Sequence, residues 1–241
     1  MSIKRLLVIN PNASLAITEL VRSGVDRHLD RNMVPTYWTC SDGPAVLKSQ
    51  ADIEQSTTLC LEELKPIVER YDAFLLACFA EHPLNAALKI EVGSKPVVGI
   101  FEASVNVALE MLQPPKRFSI MTTGKAFEKQ LSDGVKQLLG ESKAQACFAG
   151  VVSTGIGPED TMPEVTEIAR QKVREGVKRL MSNDDIAAIC MGGVILYGME
   201  NCALQSCQAE LGTDTTRNIV IIDQLEAGVA MIKRELKIHP W

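Results

Sequence analysis

Seven cysteines are spread along this 241-residue chain, and one of them, Cys78, stands where a side chain can do chemistry. It closes the apolar run Phe74-Leu75-Leu76-Ala77, which reads as a buried strand. It is followed by Phe79-Ala80-Glu81-His82-Pro83, a turn with two ionisable groups leading into a helix. Open α/β sheets bind ligands in the crevice beyond the carboxyl ends of their strands, facing the N–H groups that open the next helix. A thiol so placed is expected to be acidified by that helix N-terminus, to a pKa below about 8.5. The competing reading is a thiol that fills space, since free cysteine is among the most buried residue types. Glu81 reads equally as an orienting group or a helix cap, and His82 as an exposed turn residue.

The elements that must position these groups are legible as an alternation of apolar, β-branched runs with helical periodicity, the pattern of a parallel sheet covered by helices. Strands are expected over Arg5–Ile9, Val34–Thr39, Ala73–Ala77, Pro96–Gly99, Arg117–Met121, Gln145–Val151, Ile186–Met191 and Asn218–Ile222. Helical spacing runs through Ala51–Arg70, Pro163–Met181 and Tyr197–Leu211. Asn10-Pro11-Asn12 with Ser14 ends the first strand in groups suited to capping a helix, and Thr122-Thr123-Gly124 ends the strand at Met121 in the same way. The halves echo each other. Asn10 lies 68 residues before Cys78, and Thr122 lies 71 residues before Gly193, which follows the strand ending at Met191. The expected fold is therefore α/β with two pseudo-symmetric lobes, each a mainly parallel sheet flanked by helices, and an active site in the cleft between them. Residues 1–112 form the first lobe, with the C-terminal helix 223–241 packing back on it, and 113–222 form the second. Gln113-Pro114-Pro115-Lys116 is the natural linker.

At these residues the chain resembles the aspartate/glutamate racemase superfamily, specifically its hydantoin and allantoin racemase group and fungal relatives. Ile9-Asn10-Pro11-Asn12-Ala13-Ser14 with Thr18 resembles an I-N-P-N-T-S signature, Gly43-Pro44 a turn of that group, and Ala77-Cys78-Phe79-Ala80-Glu81 an A-C-F-G-D segment. Gly99-Ile100-Phe101-Glu102-Ala103 resembles G-I-x-E-A, Thr122-Thr123 a twin threonine, and Ser153-Thr154-Gly155 an S-T-G loop. Their order and spacing span nearly the whole chain. The resemblance implies an isomerase that moves a proton at a carbon beside a carbonyl, without cofactor. One thiolate takes the proton from one face and a second thiol returns one to the other, while N–H groups and hydroxyls hold the enolate. By that analogy Cys78 is one base. Asn10, Ser14, Phe79, Ala80, Thr122, Thr123, Thr154 and Gly192 bind a substrate that is a 5-substituted hydantoin or allantoin.

The chain departs from this pattern at the second motif, an L-G-C-A-G-M segment that aligns with Met191-Gly192-Gly193-Val194-Ile195-Leu196 and puts Gly193 where the second cysteine belongs. Cys190 is three residues too early, and on a strand an odd offset points a side chain to the other face. Its expected role is a buried strand residue. Three readings of the missing acid stay open: a one-sided reaction such as decarboxylation, isomerisation or elimination; a substitute proton carrier such as Tyr197 or water; or an introduced substitution at Gly193. A ligand-binding relative that has lost turnover is the competing class.

Composition closes off other classes. With 25 Lys and Arg against 30 Asp and Glu, the net charge is −5 and no basic run tracks a phosphate backbone, so nucleic acid is not an expected partner. The apolar stretch after Lys4-Arg5 is too short for a signal peptide or membrane span. Cysteines with no C-x-x-C pair suit a reducing compartment, here the cytoplasm. Gly155-Ile156-Gly157-Pro158 lacks P-loop spacing and reads as a rim loop. No metal is expected, and the partners are a small molecule and further copies of the chain. Tyr37 and Trp38 read as pocket wall or core, and Met181, Met191 and Met199 as core.

Overall fold

A computed structural model describes residues 2–157, 167–183, 185–211 and 219–238. The chain divides into two compact units, residues 1–103 with 225–241, and residues 104–224. In the first unit, β1 (Lys4–Asn10), β2 (Met33–Thr39), β3 (Ala73–Leu76) and β4 (Val97–Gly99) form a parallel sheet in the order β2-β1-β3-β4. The helices are α1 (Leu15–Val25), α2 (Gln50–Leu64), α3 (Pro83–Val92) and α4 (Ile100–Met111), which belongs to the other unit from Ser104 onward. In the second unit, β5 (Arg117–Thr122), β6 (Phe148–Ser153), β7 (Ile186–Gly192) and β8 (Val220–Ile222) repeat that order as β6-β5-β7-β8, again all parallel. With them come α5 (Ala126–Leu139), α6 (Glu141–Cys147), α7 (Glu167–Leu180) and α8 (Glu200–Leu211). The last helix, α9 (Gln224–Glu235), begins in the second unit and continues in the first, where Lys233 pairs with Asp30 at 2.9 Å.

Central strands carry continuous apolar runs because helices cover both faces of a parallel sheet. All four β3 residues and Leu6 to Asn10 of β1 are buried, while β2, with a neighbour on one side only, is largely half-buried. Leu7, Ile9, Phe74 and Leu76 pack with Leu84 and Leu88 of α3 and Cys60 and Leu64 of α2. Each fully buried leucine contributes about 1.5–3 kcal/mol, so this contact anchors α3 and fixes the turn that precedes it. The second core joins Met121, Ile189 and Met191 to Val173 and Val177 of α7 and Ala203 and Cys207 of α8, with Met181 and Met199 among them as expected.

Several sequence expectations shift. The strand expected over 145–151 begins three residues later, because Glu141–Cys147 closes a helical turn that hands its chain to β6 at Phe148. Helical spacing over 51–70 resolves into α2 and a separate 3-10 turn at Val68–Arg70. The helix expected from Tyr197 starts at Glu200, after a 3-10 turn at Val194–Leu196. Residues 163–166, Pro158 and Asn218 lie outside the described residues. Tyr37 donates to Asp26 and stacks on Arg22, and Trp38 packs against the first core.

Candidate active site

Strand register brings the carboxyl ends together within each sheet. In the first, Asn10 is opposite Thr39, Ile9 opposite Leu76, and Leu76 opposite Gly99. In the second, Thr122 is opposite both Ser153 and Gly192. Both orders reverse direction between the first and third strands, the switch point at which open α/β sheets place ligands beyond the strand ends. The residues there are Asn10 and Cys78 in one unit, Thr122 and Gly193 in the other.

Around Asn10 the polar groups organise a loop. Its Nδ2 donates to Thr18 Oγ1 and to the Ser14 carbonyl, both at 3.0 Å, and its Oδ1 accepts from the Asn12 N–H. Ser14 caps α1, its Oγ accepting from the Ile17 N–H at 3.3 Å. The Gly43-Pro44 turn joins this loop through the Ala13 N–H, which donates to the Pro44 carbonyl at 3.0 Å.

Cys78 emerges from a buried strand, yet it and Phe79 are half-buried while Ala80 is buried again. Phe79 meets Phe101 edge to face, 5.5 Å between centroids, tying the Cys78 turn to the start of α4. Beside that contact, Glu102 Oε1 accepts from Asn85 Nδ2 at 2.7 Å. The expected acidification of the thiol is reversed. Helix α3 begins only at Pro83, and the thiol is instead governed by burial and then by the Glu102 carboxylate, which push it up to about 12. Burial and Glu102 also raise Glu81 above the usual carboxylate range.

His82 is likewise corrected, because it is a buried cap rather than an exposed turn residue. It is 1% exposed and caps α3, its Nδ1 accepting from the Leu84 N–H at 3.2 Å. That bond leaves the ring proton on Nε2, which has no partner among the described residues, and burial lowers its pKa to about 4.

The second unit gathers its share of the motif residues. Thr122 Oγ1 donates to the Gly192 carbonyl at 2.8 Å, and the Thr122 carbonyl accepts from Thr154, N–H at 2.7 Å and hydroxyl at 3.0 Å. Ser153 donates twice to Glu128, which fixes the S-T-G loop from α5. Gly193 has φ +143° and ψ 131°, a conformation that favours glycine. Its N–H donates to Gln224 Oε1 at 2.9 Å and its carbonyl accepts from Gln224 Nε2 at 3.1 Å. Cys190 is fully buried, its thiol donating to the Ser104 carbonyl at 3.6 Å, in the strand role expected of it. Asn85, Glu128 and Gln224 carried no sequence signal, and Glu102 only that of its motif.

Among the described residues of either unit taken alone, no three His, Cys, Asp or Glu side chains converge as a cation site requires. A groove of about 520 Å³ between α7 and α8, lined by Arg170, Arg174 and Gln205 among others, holds none of the motif residues. No helix among the described residues is long and apolar enough to cross a membrane.

Two repeated parallel sheets, with loop-held polar residues at each switch point, define an α/β fold, and the isomerase class comes from the racemases among its relatives. The chain belongs to the Asp/Glu/Hydantoin racemase family, whose sequence profile matches residues 6–232. It is 31% identical to a Schizosaccharomyces pombe protein over 98% of this chain and 93% of that one. It is also 31% identical to the hydantoin racemase of Pseudomonas sp. strain NS671, over 93% of this chain and 83% of the relative. The solved allantoin racemase from Klebsiella pneumoniae superposes with TM-score 0.75 at 25% identity, covering 98% of this chain and 88% of that one.

Proposed function

We propose that this protein transfers a proton at the carbon beside a carbonyl of a small cyclic ureide, a 5-substituted hydantoin or allantoin, with Cys78 as the proton carrier and no cofactor. The observation that carries the reading is the placement of Cys78 at the β1/β3 switch point, half-buried just beyond the end of a buried strand. A carbon acid of this kind needs a group that exchanges protons in place and donors that hold the enolate oxygen. Ser14 and Thr123 are the proposed hydroxyl donors. Asn10, Thr122 and Thr154, whose polar groups are engaged in their own loops, hold the surrounding backbone. Phe79, Ala80 and Gly192 complete the substrate-binding set. The hydantoin and allantoin racemases among its relatives support this choice of substrate. All seven cysteines are free thiols, which suits action in a reducing cytoplasm, and assembly with further copies is part of the proposal.

A second reading, favoured by Gly193, has Cys78 working alone. Glycine offers no acid for the opposite face, so a lone thiol takes the α-proton from one face and returns a proton to that same face, without inversion. Incubation in deuterium oxide with each enantiomer of allantoin and of 5-benzylhydantoin separates the readings. A racemase exchanges and inverts, whereas a one-sided enzyme exchanges with retention. Absence of exchange from both compounds would remove the carbon-acid reading altogether.

A further inference from the structure

We propose that Glu102 is a positioning residue for Cys78: its carboxylate, seated over Gly99 and held by the Asn85 amide, is the charge fixed beside the turn that carries the thiol. The inference rests on Cys78 being the working group and goes beyond that reading by naming what controls it.

Three observations converge. A Cβ built on Gly99 would lie 2.0 Å from Glu102 Oε2, so the missing side chain is the space the carboxylate occupies. Asn85 Nδ2 donates to the other carboxylate oxygen at 2.7 Å, so one oxygen is hydrogen-bonded while the other sits over the bare glycine. Phe79 and Phe101, the neighbours of Cys78 and Glu102, are locked edge to face and hold the two segments in register. Among the described residues Glu102 is the one charged group with an electrostatic effect on Cys78, and it acts in the same direction on Glu81. His82, the remaining titratable group of the turn, is neutral above its depressed pKa of about 4. Asn85 donates and so cannot pass a proton to the carboxylate, and Gly99, over which the carboxylate sits, is paired with Leu76, two residues before Cys78.

The test is the pH profile of Cys78 alkylation by iodoacetamide, followed by peptide mass mapping to separate it from the other six thiols. Cys78→Ala fixes the assignment. Glu102→Gln keeps the shape and an acceptor for Asn85 but removes the charge, so the midpoint should fall. Alkylation at pH 8 should rise about threefold to tenfold, burial being the larger cause of the thiol's weak acidity. Asn85→Ala releases the carboxylate from its amide and should lower the midpoint by less than Glu102→Gln does. Gly99→Ala, whose methyl would evict the Glu102 carboxylate, should shift the midpoint as Glu102→Gln does and serves if that variant fails to fold. A structural prop would instead speed alkylation in all three variants at every pH with the midpoint unmoved, and that result overturns the proposal. If the midpoints move as expected but wild-type protein exchanges no deuterium, the proposed function fails and this inference stands. If wild-type protein exchanges deuterium but the midpoints coincide, the proposed function stands and this inference fails.

Discussion

The end of β3 and the end of β7 occupy equivalent places in two sheets of identical order, yet they are finished differently. After β3 comes Cys78, a titratable side chain, and the helix following β4 supplies Glu102, a carboxylate that opposes ionisation of the thiol. After β7 comes Gly193, which offers only a peptide, and the helix following β8 supplies Gln224, whose amide satisfies both the N–H and the carbonyl of that peptide. A carboxylate only accepts hydrogen bonds, whereas a primary amide accepts and donates and so can saturate a backbone unit. One repeat therefore ends in a group that can titrate and the other in a peptide held at both its polar atoms. The second site differs from the first by more than an absent sulfur, because its backbone has taken a conformation in which a side chain is strained.

Replacing the proposed proton carrier should produce the largest effect. Cys78→Ala is expected to cut deuterium exchange by about 1000-fold, within the range that a positioned proton carrier supplies, while circular dichroism stays unchanged. Exchange that persists in the variant would place the proton carrier elsewhere and end the contrast between the two strand ends. Next comes Gly193→Cys. A Cβ there meets only Thr123 Cγ2, at an ordinary 3.5 Å, so the cost comes from the backbone: at φ +143° a side chain costs about 1–3 kcal/mol. The melting temperature should fall by several degrees, at roughly 2–4 °C per kcal/mol for a chain of this size. Inversion of substrate should not appear. A variant that inverts both enantiomers at the wild-type melting temperature would show that the second site was only a missing thiol.

Much of this architecture is legible in the sequence because parallel sheets write themselves plainly. Ala73 to Leu76 and Ala188 to Met191 are buried on both faces and so appear as unbroken apolar runs, and the spacing from Asn10 to Cys78 and from Thr122 to Gly193 exposes the repeat. Local sequence says less about what sits beside the strand ends. The effect of Glu102 on Cys78 links α4 to the turn after β3, and the Gln224–Gly193 bonds span 31 residues, so neither follows from neighbours in the chain. For Cys78 the difference lies in the sign of the environment: a following helix suggests a positive N-terminus, but burial and a carboxylate govern the sulfur. For His82 it lies in burial, since a histidine before proline reads as a solvated turn until Leu84 and Leu88 draw the start of α3 into the core.

The smallest effect at neutral pH is expected from His82→Asn, and it sharpens the comparison by asking whether the Cys78 turn carries its own pH sensitivity. Asparagine caps helices well and can accept the Leu84 N–H as the imidazole does, so stability at pH 7.5 should change by less than about 1 kcal/mol. Acid separates the two proteins. The native imidazole has a pKa near 4 against 6.5 for the free side chain, so between those values the unfolded chain binds a proton that the folded chain refuses. Stabilisation from the neutral ring is therefore complete above pH 6.5 and drains away as the pH falls toward 4, by at most about 3 kcal/mol. Asparagine does not titrate. Urea unfolding from pH 7.5 to 4 should give curves that coincide at the top and diverge downward, with the wild type losing more. Parallel curves would mean that the ring protonates without unfolding, and that the turn holding Cys78 is more open to water than its packing against α3 implies.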